Sequence, residues 1–189
     1  MSWKDGQPIW KGKSSNLFFG RLIMLVGDPD RFAIWLDAVE SWSTDYFDNG
    51  CLAYLVGGRT VVSFNSTLNS DISLLSSMCC MGESVQDCDL FSLPASLAFS
   101  KLVERAFPQV DSGSNQSDYK HVITVGSLLD EGCRAFLIEE SEKAKIIMCE
   151  GKINPEITEI ILVRGEFQEV VSKAVEAYDT FVQKKRWRS

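Results

Sequence analysis

The sequence predicts an α+β fold whose sheets are mainly antiparallel, and three observations lead to this prediction. Gly57-Gly58 separates two apolar runs, and Glu140-Ser141-Glu142 separates two more. Such short connections join strands in hairpins, which are antiparallel. A helical repeat of apolar residues occupies the end of the chain. We therefore expect two strands-then-helix halves merged into one core, with a long amphipathic helix at the C-terminal end.

The first half begins with strand patterns. Residues 22–26 are apolar, and Gly27-Asp28-Pro29-Asp30 is a turn sequence, since proline presets φ and aspartate bonds the backbone. Residues 32–39 then alternate, with Phe32, Ile34, Leu36 and Ala38 on one side and Ala33, Trp35, Asp37 and Val39 on the other. This period predicts a strand with one buried face. Two further strands, 51–56 and 59–64, flank the glycine pair.

Helical spacing follows these strands. The apolar residues of the first predicted helix recur on one face, and they are Leu68, Ile72, Leu75 and Cys79. A second helical pattern begins at Ser92-Leu93-Pro94 and ends at Phe107-Pro108, and residues 82–89 between the two predict a loop. Residues 109–120, QVDSGSNQSDYK, are almost without apolar side chains and predict a flexible connection.

The second half again starts with strands, which we predict at 121–125, 134–139, 145–150 and 159–163. The final amphipathic helix should span about 165–183. Its apolar stripe consists of Phe167, Val170, Val171, Ala174, Tyr178, Phe181 and Val182.

Residues 1–20 differ from the rest of the chain because they show neither a helical nor a strand period. We interpret them as an N-terminal extension that precedes a single domain over 21–189. The patterned sequence begins beside Met24, and Gly20-Arg21 is compatible with a purine-rich ribosome-binding sequence just upstream. The pattern therefore leaves both Met1 and Met24 open as the true start.

Charge and composition narrow the classes of function. Nineteen basic residues stand against 26 acidic ones, a net charge of −7. Nucleic-acid affinity depends on cationic contacts with phosphates, so this charge favours a basic protein partner instead. No apolar run approaches the ~20 residues that cross a bilayer, and we expect no membrane insertion. Six cysteines without a CxxC pair or a signal peptide indicate reduced thiols in a cytoplasmic protein.

Residues that could perform catalysis are scarce. The single histidine, His121, begins a predicted strand, where a structural role is commoner than acid–base chemistry. The sequence contains no phosphate-binding loop, GxSxG elbow or HExxH helix. Acid pairs such as Asp28/Asp30 and Glu139/Glu140 lack the spacing of a calcium loop. We therefore predict a protein that is not an enzyme and that needs no metal or cofactor.

The segment GDPDRFAIWLDAVESW, residues 27–42, opens the most acidic part of the chain. Between residues 28 and 48, six acids stand against Arg31 alone, a net charge of −5. Aromatic side chains beside carboxylates on an accessible surface are typical of binding sites for basic proteins. The alternative is a strand buried on both faces, with Trp35 packed under a helix. The predicted partner-binding residues are Asp28, Asp30, Trp35, Asp37, Glu40, Trp42, Asp45, Tyr46 and Asp48.

These residues also contribute to a family resemblance. The Gly-Asp-Pro turn, the Phe-Ala-Ile-Trp strand and the Gly-Gly hairpin resemble immunity protein family 42 of bacterial polymorphic and contact-dependent toxin systems. The similarity covers about residues 24–75 and returns at IILVRGEF, residues 160–167. The resemblance implies a cytoplasmic antidote that binds a cognate toxin domain, commonly a nuclease, in a tight complex. It implies no catalytic or ligand-binding set.

Two other hypotheses remain at this stage. The halves also resemble single-strand-binding folds in which two sheets pack as a pinwheel, which would make the chain a nucleic-acid-binding module with a basic C-terminal tail. An enzyme that uses carboxylates alone would require a deep pocket lined by acids. For toxin binding, we predict that charge reversal at Asp37, Asp45 and Asp48 slows association and weakens its salt dependence.

Overall fold

The computed structural model describes residues 3–4, 7–8, 22–108, 116–151 and 156–186. Strands β1 (Trp3–Lys4) and β2 (Gln7–Pro8) pair with each other. Most of the predicted N-terminal extension, and residues 109–115 of the predicted connection, lie outside the described residues. Residues 116–119 contain no helix or strand.

The first large sheet has four antiparallel strands in the order β3-β4-β5-β6. Their bounds are β3 Ile23–Gly27, β4 Phe32–Ala38, β5 Asn49–Val56 and β6 Arg59–Thr67. The predicted hairpin joins β5 to β6, and Gly57 and Gly58 adopt φ values of 57° and 77°. Side chains with a Cβ rarely adopt this left-handed conformation, so two glycines favour the turn.

The second large sheet has three antiparallel strands in the order β7-β8-β9. Their bounds are β7 Arg134–Glu140, β8 Lys143–Glu150 and β9 Glu156–Val163. The acidic turn predicted between the first two strands is present, with Ser141 at a φ of 50°.

Six α-helices accompany the sheets within the described part of the chain. Their bounds are α1 Leu68–Ser77, α2 Cys79–Gly82, α3 Cys88–Ser92, α4 Ala95–Ala106, α5 Gly126–Asp130 and α6 Glu166–Arg186. A short 3₁₀ helix covers Glu40–Trp42. The α+β class, the antiparallel sheets and the long C-terminal helix are confirmed.

One large hydrophobic core joins the two sheets. The Phe32 ring of the first sheet lies 5.6 Å from the Tyr54 ring of the same sheet and 4.9 Å from the Phe167 ring of α6, measured between centroids. The same cluster includes Leu137 and Ile146 of the second sheet. The Tyr54 hydroxyl donates to the carbonyl of Ile123 at 2.8 Å, which satisfies this buried polar group.

A smaller core covers the other face of the second sheet. There Leu90 of α3 and Leu102 of α4 pack with Phe136, Ile138 and Ile147. The second sheet is therefore covered on both faces, which explains the near-continuous apolar sequences of β7 and β8.

The structure corrects two predictions about strands. The alternating pattern of β4 predicts one buried face, yet Ala33 and Asp37 on the other side are also buried. Residues 121–125 form an isolated bridge from Val122 to Phe136 rather than a strand. There the Thr124 hydroxyl accepts the backbone N–H of Ala135 at 2.6 Å, so a side chain replaces the ladder hydrogen bond. The predicted loop at 82–89 also holds the start of α3.

Candidate functional site

The connection between β4 and β5 presents three exposed aromatic side chains, two of which, Trp42 and Tyr46, belong to the predicted site. Trp42, Tyr46 and Phe47 have exposed fractions of 50%, 85% and 51%. Glu40 and Asp45, in the same connection, are also exposed. We call residues 40–47 the acidic loop. Large apolar surfaces that remain uncovered beside carboxylates are a common feature of protein-binding sites.

Local hydrogen bonds hold the acidic loop in one conformation. The backbone N–H of Thr44 donates to the carbonyl of Phe47 at 2.9 Å, and the Thr44 hydroxyl accepts the N–H of Phe47 at 3.1 Å. The Asn49 side chain donates to the carbonyl of Trp42 at 2.7 Å. The aromatic rings therefore project from an ordered backbone, which lowers the entropy cost of binding.

Asp48, at the end of the acidic loop, is held by contacts with α6 and α1. Its carboxylate accepts the Tyr178 hydroxyl at 2.9 Å and forms an ion pair with Lys185 at 2.6 Å. Its backbone N–H donates to the side chain of Asn69 at 3.2 Å. Burial and the neighbouring Asp48 carboxylate raise the pKa of Tyr178, so this hydroxyl stays a donor.

Asp28 and Asp30 lie at the opposite end of β4. The Asp28 carboxylate accepts the backbone N–H of Asp30 at 3.0 Å, and both residues are exposed. The N–H of Gly58 donates to the carbonyl of Pro29 at 3.0 Å, so this turn packs against the β5–β6 turn. The seven residues of β4 separate the two ends by about 20 Å. The predicted site residues thus fall into two separate groups.

Trp35 and Asp37 lie between these two groups, on the face of the first sheet that points away from the main core. Trp35 is partly exposed. Asp37 has an exposed fraction of only 7%, so the expectation that it faces solvent is wrong. Its neighbours across the sheet, Ile23 and Cys51, flank it closely. Charge reversal at Asp37 or Asp48 would therefore disturb the fold and cannot test electrostatic steering.

Sequence reasoning missed exposed apolar residues that adjoin these positions. Phe47 stands next to the predicted Tyr46, and Phe64 of β6 has an exposed fraction of 57%. Ile23 and Leu25 of β3 are also exposed. The alternation of side chains within β3 and β6 indicates that every second residue of each strand points outward. Which residues these are follows only from the strand register.

The single histidine and four of the six cysteines are buried in the folded protein. His121 is buried, and its Nδ1 donates to the carbonyl of Leu137 at 2.9 Å; burial lowers its pKa. Cys88 is exposed, whereas burial raises the pKa of Cys80 and of Cys133 to about 12. The Cys80 and Cys133 thiols therefore stay protonated at neutral pH.

Neither metal ligation nor a membrane span is found in the described residues. No group of three or more histidine, cysteine, aspartate or glutamate side chains there is placed to hold a metal ion. Across the same described ranges, no helix is both long enough and apolar enough to cross a bilayer.

Two open depressions, of about 520 and 550 Å³, lie on the helical side of the molecule. The first lies between α1 and residues 118–124, and the second between α1, α2 and α6. The second contains the carboxylates of Glu176 and Asp179. Neither depression includes any of the predicted partner-binding residues.

Comparison with known proteins identifies the family. The chain matches the family Immunity protein 42 over residues 24–177. A crystal structure of CdiI from Burkholderia dolosa AUO158 shares 48% sequence identity with it, with a TM-score of 0.76, over 81% of this chain and 99% of that chain. A search among curated proteins found no match. The chain therefore belongs to the Immunity protein 42 family, and its function is the neutralisation of a toxin as an immunity protein.

Proposed function

We propose that this immunity protein binds its cognate toxin domain through the acidic loop, and that the toxin is a basic nuclease. One observation carries the proposal: Trp42, Tyr46 and Phe47 are each at least half exposed, beside the exposed acids Glu40 and Asp45. Tryptophan and tyrosine are the residues most enriched among binding hot spots. In a protein of a toxin-neutralising family, the acidic loop offers an apolar centre with a charged rim.

Charge supports a basic partner. A nuclease must place cations where it meets phosphates, so its substrate-binding surface attracts an acidic protein. The net charge of −7 accelerates the encounter, and Glu40 and Asp45 orient it at the loop. Asp28 and Asp30, about 20 Å away along β4, add to the attraction as outlying charges. The immunity protein itself would act without catalysis, by occupying the toxin.

In the proposed binding mode, the acids attract the toxin and the aromatic rings hold it. The first effect changes the association rate and the second changes the dissociation rate. Charge reversal by Glu40→Lys or Asp45→Lys should lower the association rate about tenfold at low salt and flatten its salt dependence. Trp42→Ala or Tyr46→Ala should instead raise the dissociation rate at least tenfold. Surface plasmon resonance with the purified toxin domain, at several salt concentrations, measures both rates.

A matched control for the charge reversals is Glu104→Lys on α4, which makes the same charge change at an exposed site on the helical layer over the second sheet. Its association rate should stay close to that of the unmodified protein. If Glu40→Lys, Asp45→Lys, Trp42→Ala and Tyr46→Ala all bind normally, the acidic loop is not the interface.

The nuclease assignment has its own test. The purified toxin domain should degrade RNA or DNA, and a stoichiometric amount of the immunity protein should stop the degradation. A toxin domain that inhibits growth without cleaving either nucleic acid would contradict the assignment and leave the loop proposal intact.

A further inference from the structure

We infer that the toxin interface extends from the acidic loop to a groove between α1 and α6, where a lysine or arginine side chain of the toxin binds. This inference rests on the proposed function and names a second contact surface for the same partner. The groove is the depression of about 550 Å³ between Ser76 of α1, Met81 of α2 and one face of α6 within residues 172–183. We call it the helical groove.

Helices α1 and α6 run side by side in opposite directions, and the acidic loop lies at one end of the pair. At that end, the N–H of Leu68, the first residue of α1, donates to the carbonyl of Asp48 at 2.7 Å. Lys185, near the end of α6, pairs with the carboxylate of the same aspartate. At the other end, the Gln168 side chain donates to the carbonyl of Cys80 in α2 at 3.1 Å. The helical groove therefore points towards the acidic loop at one end.

Apolar side chains form the base of the helical groove. Met81 and Val175 are partly buried and pack against the main core. Ser76 and Ser172, which also line the groove, are exposed and have short side chains that extend little over this base. Lysine and arginine have long aliphatic stems, which pack on apolar surfaces while the charged head stays with polar groups. The base of the groove thus suits the stem of a basic side chain.

Two carboxylates stand beside this apolar base. Glu176 and Asp179 line the helical groove, and both residues are exposed. They are three residues apart on α6, a spacing that puts their Cβ atoms about 5–6 Å apart on the same face of the helix. One guanidinium or ammonium group can therefore contact both carboxylates while its stem lies on the base.

These two carboxylates differ from the other acids of α6. Glu166 pairs with Arg31 at 2.7 Å, and Glu169 pairs with a lysine one helical turn further along. The ion pairs formed among the described residues include neither Glu176 nor Asp179. Within the described part of the chain, no cation therefore competes with a basic side chain that a partner brings to the groove.

Charge favours the toxin as the occupant over a second copy of this chain or a nucleic acid. Two chains that each carry a net charge of −7 repel each other, and more so at a surface with two unpaired carboxylates. Phosphates are repelled for the same reason. The basic toxin that we propose brings lysine and arginine side chains to the encounter, and these complement the groove as well as the loop.

The helical groove lies close enough to the acidic loop for one partner to cover both. Asp179 precedes Lys185 by six residues, which is about 9 Å along the helix axis. Lys185 in turn contacts Asp48, beside the loop. An interface that buries about 800 Å² on each partner is roughly 30 Å across. The loop and the groove therefore fit within a single interface of ordinary size.

Thiol labelling in the full chain tests whether the toxin covers the helical groove. In Ser76→Cys, the new thiol should react with a maleimide at a rate similar to that of the exposed Cys88 in the free protein. The purified toxin domain should slow labelling at position 76 by about tenfold or more, because a covered thiol reacts only after the complex dissociates. Labelling of Cys88, which lies outside the groove, should not change.

Neutralisation of the two carboxylates tests whether they contact the toxin or only attract it. Glu176→Gln combined with Asp179→Asn should raise the dissociation rate about tenfold, because charge pairs within the interface are lost. Glu104→Gln combined with Asp130→Asn is the matched control, since it removes the same charge from exposed positions outside the groove and the loop. The control should leave the dissociation rate unchanged. Surface plasmon resonance with the toxin domain measures both double variants.

Several outcomes would overturn the inference. Fast labelling at position 76 in the complex would show that the toxin does not cover the helical groove. Slow labelling in the free protein would show that another part of the chain covers it, and slowing that grows with protein concentration would indicate a second copy.

The same measurements separate this inference from the proposed function. If Trp42→Ala loses affinity while the neutralised double variant dissociates like its control, the inference fails and the loop proposal stands. If Trp42→Ala and Tyr46→Ala keep full affinity while the toxin slows labelling at position 76, the loop proposal fails and the helical groove remains the toxin contact.

Discussion

At the residue scale, burial decides which charged side chains can meet a partner and which hold the fold together. Glu40 and Asp45 are exposed and adjoin exposed rings. Glu139 and Lys145 are buried and fully engaged: the Lys145 ammonium lies 3.2 Å from both the Glu159 carboxylate and the carbonyl of Leu93. A glutamate is therefore exposed to solvent at position 40 and is part of the buried hydrogen-bond network at position 139.

Glu139 provides the clearest stability prediction. Its carboxylate accepts the Gln168 amide at 3.0 Å, the Ser84 hydroxyl at 3.1 Å and the backbone N–H of Val85 at 3.2 Å. Glu139→Ala removes the acceptor of these three hydrogen bonds and should lower the free energy of unfolding by about 3 kcal/mol. Urea unfolding measures the loss. Glu142→Ala, at the neighbouring exposed turn, should change it by less than ~0.5 kcal/mol.

His121 predicts a pH dependence of stability. Burial lowers its pKa in the folded protein, so the unfolded chain binds the proton more readily. Its contribution is fully present above the unfolded pKa of about 6.5 and is lost as the pH falls towards the lower folded value. His121→Asn removes the titration and keeps a donor for Leu137. The stability advantage of the unmodified protein over this variant should shrink below pH 6.5; parallel urea midpoints from pH 7.5 to 5 would contradict this assignment.

At the element scale, α6 ties the two ends of the first sheet together. At its start, Glu166 accepts two hydrogen bonds from Arg31, at 2.8 and 2.7 Å, just before β4. Near its end, Tyr178 and Lys185 bind Asp48 beyond the acidic loop. The 21 residues of α6 span about 30 Å, long enough to reach from one end of β4 to the loop. The helix thus both fills the core and fixes the loop.

The contacts between α6 and Asp48 should reduce the conformational fluctuations of the acidic loop. Lys185→Ala combined with Tyr178→Phe removes both side-chain contacts to Asp48 and should increase amide hydrogen exchange at residues 44–48 at least tenfold. Toxin affinity should fall with it, since the loop loses preorganisation. Lys184→Ala, an exposed neighbouring cation, serves as the matched control and should leave exchange unchanged. Unchanged exchange in the double variant would show that the hydrogen bonds within the loop are sufficient.

At the scale of the whole molecule, the two sheets share one core and should unfold as one unit. Leu137 of β7 is fully buried in the cluster that also contains Leu52 and Tyr54 of β5. Leu137→Ala should cost about 2–5 kcal/mol. Because the core is shared, hydrogen exchange limited by global unfolding should rise in β5 as well as in β7. Val163→Ala, exposed in the same sheet, should alter neither; a rise confined to residues 134–163 would show two independent units.

The local patterns of the chain were sufficient for most elements. Paired glycines need no tertiary contact to favour a turn, which is why Gly57-Gly58 located the β5–β6 hairpin. The 3.6-residue repeat located α6, since its stripe from Phe167 to Phe181 is buried as predicted. The family also follows from sequence, through the segment around residues 24–75 and its match over 24–177.

Local patterns gave wrong predictions for residues 121–125 and for one face of β4. The β-branched residues 122–125 favour a strand. In the structure, however, the Thr124 hydroxyl rather than its backbone bonds the N–H and carbonyl of Ala135 in β7. The alternation in β4 correctly placed Phe32 and Ile34 in the core, yet it could not show that Asp37 is buried on the other face. That depends on residues of β3 and β5, which are distant in sequence.

The sequence by itself determined the fold class, the family and the acidic, aromatic character of residues 28–48, because composition and periodicity are local properties. Only the tertiary structure decided which of those residues are available to a partner. Strand pairing sent Asp28 and Glu40 to opposite ends of one sheet and buried Asp37 between neighbours, while α6 engaged Asp48. The accessibility of a side chain depends on which distant segments pack against it, and a local sequence pattern does not show which segments these are.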